Sequence, residues 1–285
     1  MKPTKKIALL TLTFFPFYCC KTIGMNKNVS EVTDFQLIKG EPVVNVTIKN
    51  RKLKLYIDTG ANLVQIALKP EVIKDLGLTE LIEESKSMDI EGHVYNEKTY
   101  TVSEMDFHTY KFTNVIVKEE KRDFFEYDGI IGNQLLNKYV LYLDYKEKKI
   151  GLFNQEEKQK LIGMNEWKKI NYLNSKAGIL LPVKINGKLL NLIFDTGAAV
   201  IDNDNSYGLL RKSSVVKQSL FEITKEDMNV VSFKNIDISG NKFEEMGFLQ
   251  VDLPEQFPAD GLIGYNLVKE RKILIDYKND VMYLN

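Results

Sequence analysis

Cysteine is almost missing from this 285-residue chain. Cys19 and Cys20 stand side by side near the start, and none follows. Neighbouring cysteines make a poor disulfide, and two of them cannot build a metal site. A folded body after Cys20 must therefore rely on its core rather than on staples. An excess of charge is missing too. Lys plus Arg and Asp plus Glu each number 39, so the net charge is zero. That gives no footing to nucleic-acid binding or to an anionic-membrane patch. Only two histidines occur, His93 and His108, and no Gly-x-Ser-x-Gly stretch is present. This leaves no base–nucleophile pair of the usual serine or cysteine kind. The lone Trp167 marks nothing. What remains, 44% hydrophobic and 27% charged, is ordinary globular composition, long enough for two lobes with real cores.

A long membrane-spanning run is absent as well. The apolar stretch IALLTLTFFPFY follows Lys2, Lys5 and Lys6, and is too short and too Pro-interrupted to cross a bilayer. Residues 1–20 are therefore expected to be a signal peptide, and residues 21–34 a polar tether. A positive start, a short apolar core and then cysteine is similar to a bacterial lipoprotein signal, with Cys19 or Cys20 as lipid acceptor. The match is imperfect: such signals usually carry Leu three residues before the cysteine and a small residue just before it, whereas Phe17, Tyr18 and Cys19 precede Cys20, and Pro16, Phe17 and Tyr18 precede Cys19. The expectation is an exported protein, in the periplasm or at the outer membrane or cell surface of a bacterium. Both a lipid anchor and a cleaved signal stay open.

What the chain does contain is a duplication. Asp-Thr-Gly-Ala occurs at Asp58–Ala61 and again at Asp195–Ala198. The stretch VVNVTIKNRKLKLYIDTGA aligns with LLPVKINGKLLNLIFDTGA, and both read as strand, polar turn, strand. Asn186-Gly187 is a strong two-residue hairpin signal. Further on, DGIIGNQLLNKYVLYLDYKEKKIGLF from Asp128 aligns with DGLIGYNLVKERKILIDYKNDVMYLN from Asp260. Repeats of this length are domain-sized copies. Strands dominate between them. Short helices are expected at PEVIKDLG, with Pro70 at its start and Gly77 at its end, and at NQLLNKY. NLVQIAL reads as a strand after the first Asp-Thr-Gly-Ala. AVIDNDNSYG after the second reads as an acidic surface loop; Gly208 and Ser213 fall wrongly for a calcium site, so no metal is expected. Asp128 and Asp260 read as acids that cap or turn the chain, Asp144 and Asp276 as turn acids at strand ends, and His108 as a surface strand residue.

A carboxylate on a tight loop after a strand is unremarkable alone; two on matched loops are a chemical pair. Two acids in hydrogen-bond contact cannot both ionise easily, so one keeps a proton. The charged one can accept a proton from water while the protonated one polarises a carbonyl. Thr59 and Thr196 can donate to the facing loop and lock the two together.

The paired Asp-Thr-Gly-Ala copies, each followed by an apolar-apolar-Gly segment (Ile130-Ile131-Gly132 and Leu262-Ile263-Gly264), resemble an aspartic peptidase of the pepsin/retropepsin type. The resemblance implies an all-β chain with two homologous β-barrel lobes and an active-site cleft between them. It places an N-terminal lobe at 35–154, a linker at 155–170 and a C-terminal lobe at 171–285. It implies an aspartic endopeptidase with Asp58 and Asp195 as the dyad, supported by Thr59, Gly60, Thr196 and Gly197. No cofactor is implied. The partner is a peptide or protein substrate, and the chain acts as a monomer because it supplies both half-sites. A flap from MDIEGHVYNEKTYTV would turn at Gly92, near His93, with Tyr95 or Tyr100 over bound peptide. In lobe two, no glycine lies between Gly208 and Gly240, so a tight flap tip is not expected there. Ala61 and Ala198 replace the serine usual in pepsins, which removes a donor to each acid and points to activity nearer neutral pH. The alternative is a non-catalytic peptide-binding surface protein with a degenerate version of the fold. A third reading has each lobe pairing with its twin on another chain.

Overall fold

The computed structural model describes residues 32–88, 94–121, 126–163, 166–198, 200–202, 205–214, 221–225 and 228–285. The first lobe begins with a hairpin, Glu41–Ile48 against Arg51–Asp58, turned at Lys49 and Asn50 with φ of 48° and 64°. Along Arg51–Asp58 the alternation of side chains sends Leu53, Leu55 and Ile57 into the barrel, each at most 1% exposed. Tyr56 and Asp58 therefore share the other face. The strand pairs in parallel with Gly129–Gly132, which pairs in turn with Ile66–Leu68. Ile66–Leu68 lies parallel to Tyr110–Glu119, which runs against Val94–Phe107. A contact of Val94–Phe107 with Glu41–Ile48, through Thr47 and Ile48, closes a ring of six strands.

The second lobe repeats this ring. Gly178–Ile185 and Lys188–Phe194 form the hairpin, turned at Asn186 and Gly187 with φ of 49° and 83°. Lys188–Phe194 pairs in parallel with Gly261–Ile263, followed around the ring by Asn205–Arg211, Asn241–Val251 and Met228–Ile238. Val183 and Lys184 meet Ile238 and Asp237 and close it. The fold is thus mostly β, with two closed six-stranded barrels in one chain.

The repeated apolar-apolar-Gly segments are the strands beside the two Asp-Thr-Gly loops. A Cβ on Gly132 would meet Val64 O at 2.4 Å, and one on Gly264 would meet Asp195 O at 2.1 Å. Only glycine permits so close a backbone approach. Asp128 and Asp260 act alike at the start of these strands. Asp128 donates its backbone amide to Lys54 O and accepts from the Lys54 amide through its side chain, each at 2.8 Å. Asp260 does the same with Asn191, its side chain accepting at 2.9 Å.

A third sheet joins the halves. Its order is Thr33–Asp34, Lys149–Phe153, Val140–Asp144, Lys272–Asp276, Val281–Leu284 and Lys168–Asn171. The central pairing crosses between halves, with Leu141 opposite Ile275 and Leu143 opposite Ile273, all buried.

Several expectations need correction. The strand read from NLVQIAL shortens to Ile66–Leu68, because Asn62 and Leu63 turn, and Leu63 is 67% exposed. The loop expected after the second Asp-Thr-Gly-Ala is instead a hairpin, Val200–Asp202 against Asn205–Arg211, with residues 203 and 204 outside the described residues. Its second strand carries Leu209 and Leu210 to the place that Ile66–Leu68 occupies in lobe one. Lobe two has a paired flap-like segment of its own, Phe221–Lys225 with Met228–Ile238; residues 226 and 227, where no tight tip was expected, lie outside the described residues. His108 is a turn residue with φ of 53°, between Phe107 and its partner Tyr110, rather than a strand residue. Thr33 and Asp34, read as tether, pair with Ile150 and Lys149. Residues 155–170 hold the helix Gln155–Gly163 and most of the edge strand Lys168–Asn171, both docked on the fold.

That helix makes Asp276 more than a turn acid. Lys158, 4% exposed, donates to the fully buried Asp276 at 2.6 Å, with Gln155 and Asn279 at 2.9 and 2.7 Å. Burial raises the Asp276 pKa, but these hydrogen bonds and the Lys158 charge outweigh it and hold the carboxyl below its ordinary range. Its contribution is therefore complete above the ordinary carboxylate pKa of about 4 and is lost as pH falls through the lowered folded-state value. Removing one partner strands a buried charge. Lys158→Ala is expected to cost about 3–5 kcal/mol in urea unfolding at pH 7. A loss under about 1 kcal/mol would contradict a buried, paired charge there.

Candidate active site

Asp58 ends its strand and Asp195 follows Phe194, so each loop leaves its barrel where the two lobes meet. Thr59 and Thr196 are fully buried and grip each other reciprocally. The Thr59 amide donates to Thr196 Oγ1 and the Thr196 amide to Thr59 Oγ1, each at 3.0 Å. Thr196 Oγ1 donates to Ile57 O at 2.6 Å, and Thr59 Oγ1 to Phe194 O at 3.2 Å. Each hydroxyl thus accepts from one backbone group and donates to another on the opposite loop. Asn62 adds a further tie, donating to Ser175 O and Lys176 O at 3.1 and 3.2 Å.

This grip brings the carboxyls together. Asp58 and Asp195 are hydrogen-bonded to each other. A Cβ on Gly60 would lie 2.5 Å from Asp195 Cγ, and one on Gly197 would lie 3.3 Å from Asp58 Cγ. Each glycine is thus the space into which the opposite acid fits. Asp58 is 7% exposed, and Asp195 is partly open.

The two acids differ in their donors. Asp58 Oδ1 accepts from the Gly60 and Ala61 amides, both at 2.9 Å. Asp58 Oδ2 accepts from the Tyr56 hydroxyl at 3.0 Å. Asp195 Oδ1 accepts from the Gly197 amide at 2.7 Å. Burial first, then the charge of Asp58, push the Asp195 pKa well above its ordinary value; the Gly197 amide opposes this only in part. Of the two acids, Asp195 is the one whose surroundings favour the protonated form.

Tyr56 was not among the residues singled out from the sequence. Ala61 and Ala198 bring no hydroxyl to the acids, but Tyr56 supplies one to Asp58 from two residues back. The signal was available: on a strand, residue i−2 faces the same way as residue i. The tyrosine ring sits in a small cluster outside the barrel, with Val43, Ala67, Tyr127 and Ile130. Lobe two has a matching cluster of Ile193, Ala259 and Leu262.

The flap residues fare differently. Gly92 and His93 lie outside the described residues, as do Cys19 and Cys20. Tyr95 lies on the strand Val94–Phe107, opposite Ser87 of Thr79–Met88, so a long hairpin does rise from lobe one. Tyr100 does not cover a peptide. It is 7% exposed and packed in the main core with Val102, because its position in the strand turns it inward. Among the described residues no group of three or more His, Cys, Asp or Glu is placed to hold a metal ion.

The grip has a direct test. Thr196→Val keeps shape but removes the donor to Ile57 O and leaves the buried Thr59 amide unpaired, costing about 2–3 kcal/mol. Thr196→Ser keeps the hydroxyl and should recover most of that loss. Denaturant unfolding of both variants checks it, and equal stabilities for Val and Ser would refute the reciprocal bonds.

No protein-family model matches the sequence, and no curated protein does. Among solved structures, the chain is similar to an aspartic proteinase from Irpex lacteus, with a TM-score of 0.63 and 11% sequence identity. The match covers 90% of this chain and 97% of that one. At that identity the likeness is one of fold: two pepsin-like lobes in a single chain.

Proposed function

We propose that this chain is an aspartic endopeptidase of the DTGA, retropepsin-like kind. The observation that carries the reading is the close pair Asp58–Asp195, in which burial and then the charge of Asp58 push the Asp195 pKa well above its ordinary value. In this reading Asp58 is the base that takes a proton from an attacking water. Asp195 donates its proton to the carbonyl oxygen of the scissile bond, and neither metal nor covalent intermediate takes part. Thr59, Gly60, Thr196 and Gly197 hold the loops. The substrate is an extended peptide between the lobes, beneath the lobe-one hairpin that rises towards Gly92. One chain supplies both acids, so a monomer is the acting unit, with lobes at 35–154 and 171–285. We further propose export, with residues 1–20 as the signal and Cys19 or Cys20 as a lipid acceptor, which would tether the domain at a bacterial surface.

The experiment is turnover of an unstructured protein by the chain after Cys20. Cleavage is expected, and Asp58→Asn and Asp195→Asn should each reduce it at least a hundredfold. Binding without turnover in the unmodified protein would overturn the reading and leave a peptide-binding module. The pH profile is a second check. A raised Asp195 keeps its proton as pH climbs through the usual carboxylate range, so activity should persist towards neutral pH. A profile peaking below about 3.5 would contradict this.

A further inference from the structure

The two halves of the dyad are built from the same motif, yet only one carries a hydroxyl two residues upstream. Tyr56 in lobe one corresponds to Ile193 in lobe two. Both are buried, at 4% and 5% exposure, and both sit on the face their aspartate uses. The Tyr56 ring also reaches under the opposite loop: a Cβ on Gly197 would lie 3.1 Å from Tyr56 Cε2. From this position its hydroxyl donates to Asp58 Oδ2 at 3.0 Å. Its ring packs at 5.2 Å against Tyr127, whose own hydroxyl is committed to Glu41.

We propose that Tyr56 is a positioning residue that assigns the roles of the dyad, fixing Asp58 as the charged base and leaving Asp195 as the acid. This rests on the hydrolytic reading above and names what makes the pair unequal. A hydroxyl donated to a carboxylate favours the charged form, so it acts only on the partner that it touches. Asp58 Oδ2 takes the Tyr56 bond while Oδ1 takes two amides. The other groups around the pair work against a second charge. Glu41, on the strand Glu41–Ile48, feels the charge of Asp58, and its own pKa is raised by burial despite the Tyr127 bond. Tyr145, buried behind Asp195, is raised by burial, with further contributions from Tyr265 and Asp195. Among the described residues, the side-chain and backbone donors to Asp58 and Asp195 are Tyr56, Gly60, Ala61 and Gly197, none of them cationic.

The test is Tyr56→Phe, which deletes one oxygen, together with Tyr56→Ile, which installs the residue that lobe two carries. A donated hydroxyl stabilises a charged carboxylate, so deleting it must move the lower step of the dyad's titration up. Carboxyl NMR titration of 13C-aspartate-labelled protein, with Asp58→Asn to assign the signals, should show that step raised by about one pH unit in both variants. The acidic limb of kcat should move with it, costing up to about tenfold in kcat at a pH within the shifted window, with KM nearly unchanged. An unmoved lower step in both variants overturns the proposal, whatever the turnover. A raised step without turnover by any form supports the role of Tyr56 and counts against the hydrolytic reading instead.

Discussion

The arrangement depends on holding two carboxyl groups in contact within a site shielded from water. Left to themselves, two such groups would repel as anions or separate to find solvent. Here the loops cannot separate, because each threonine hydroxyl is spent on the backbone of the opposite loop in both directions. Both threonines are fully buried, so no water replaces a lost bond. The glycines complete the constraint by removing the two Cβ atoms that would keep the acids apart.

That grip is short, and it needs rigid supports on both sides. Each loop is the exit of a strand clamped between a hairpin partner and a parallel apolar-apolar-Gly strand. Far from the loops, the third sheet joins Val140–Asp144 to Lys272–Asp276, so the halves are sewn together at two levels. The Lys158–Asp276 pair, deep under the helix Gln155–Gly163, anchors the connecting segment to this sheet. Leu161 and Ile162 of the helix, with Trp167 beyond it, add an apolar contact, packing against Val140, Phe153 and Leu274.

Much of this was legible because it rests on local rules. The duplicated motifs, the Asn186-Gly187 turn and the helix from Pro70 to Leu76 follow from spacing, turn chemistry and end signals. The use of Thr59 and Thr196 followed from the donors a paired loop would need. Other features depend on partners far along the chain. Asp276 looked like a turn acid because Lys158 lies 118 residues away. Tyr100 looked available for substrate because its direction is set by strand register, not by its neighbours in sequence. Tyr56 was different again: the alternation rule pointed it at Asp58, but its apolar neighbours made it read as one more core residue.

Duplication supplies symmetry, whereas acid–base chemistry requires its opposite. Two identical loops meeting about a pseudo-twofold axis would share a proton evenly, and neither acid would have a fixed role. Backbone amides begin to break that tie: Asp58 takes those of Gly60 and Ala61, Asp195 that of Gly197 from its own loop. Residues on the inner faces of the barrels add nothing, since they point away from the acids. Side chains on the cleft-facing side of the two aspartate strands can add to the difference, and two residues upstream is the nearest such position. There the chain places a hydroxyl in one copy and a hydrocarbon in the other, Tyr56 against Ile193. The same substitution that leaves the barrels equivalent therefore leaves the acids chemically distinct.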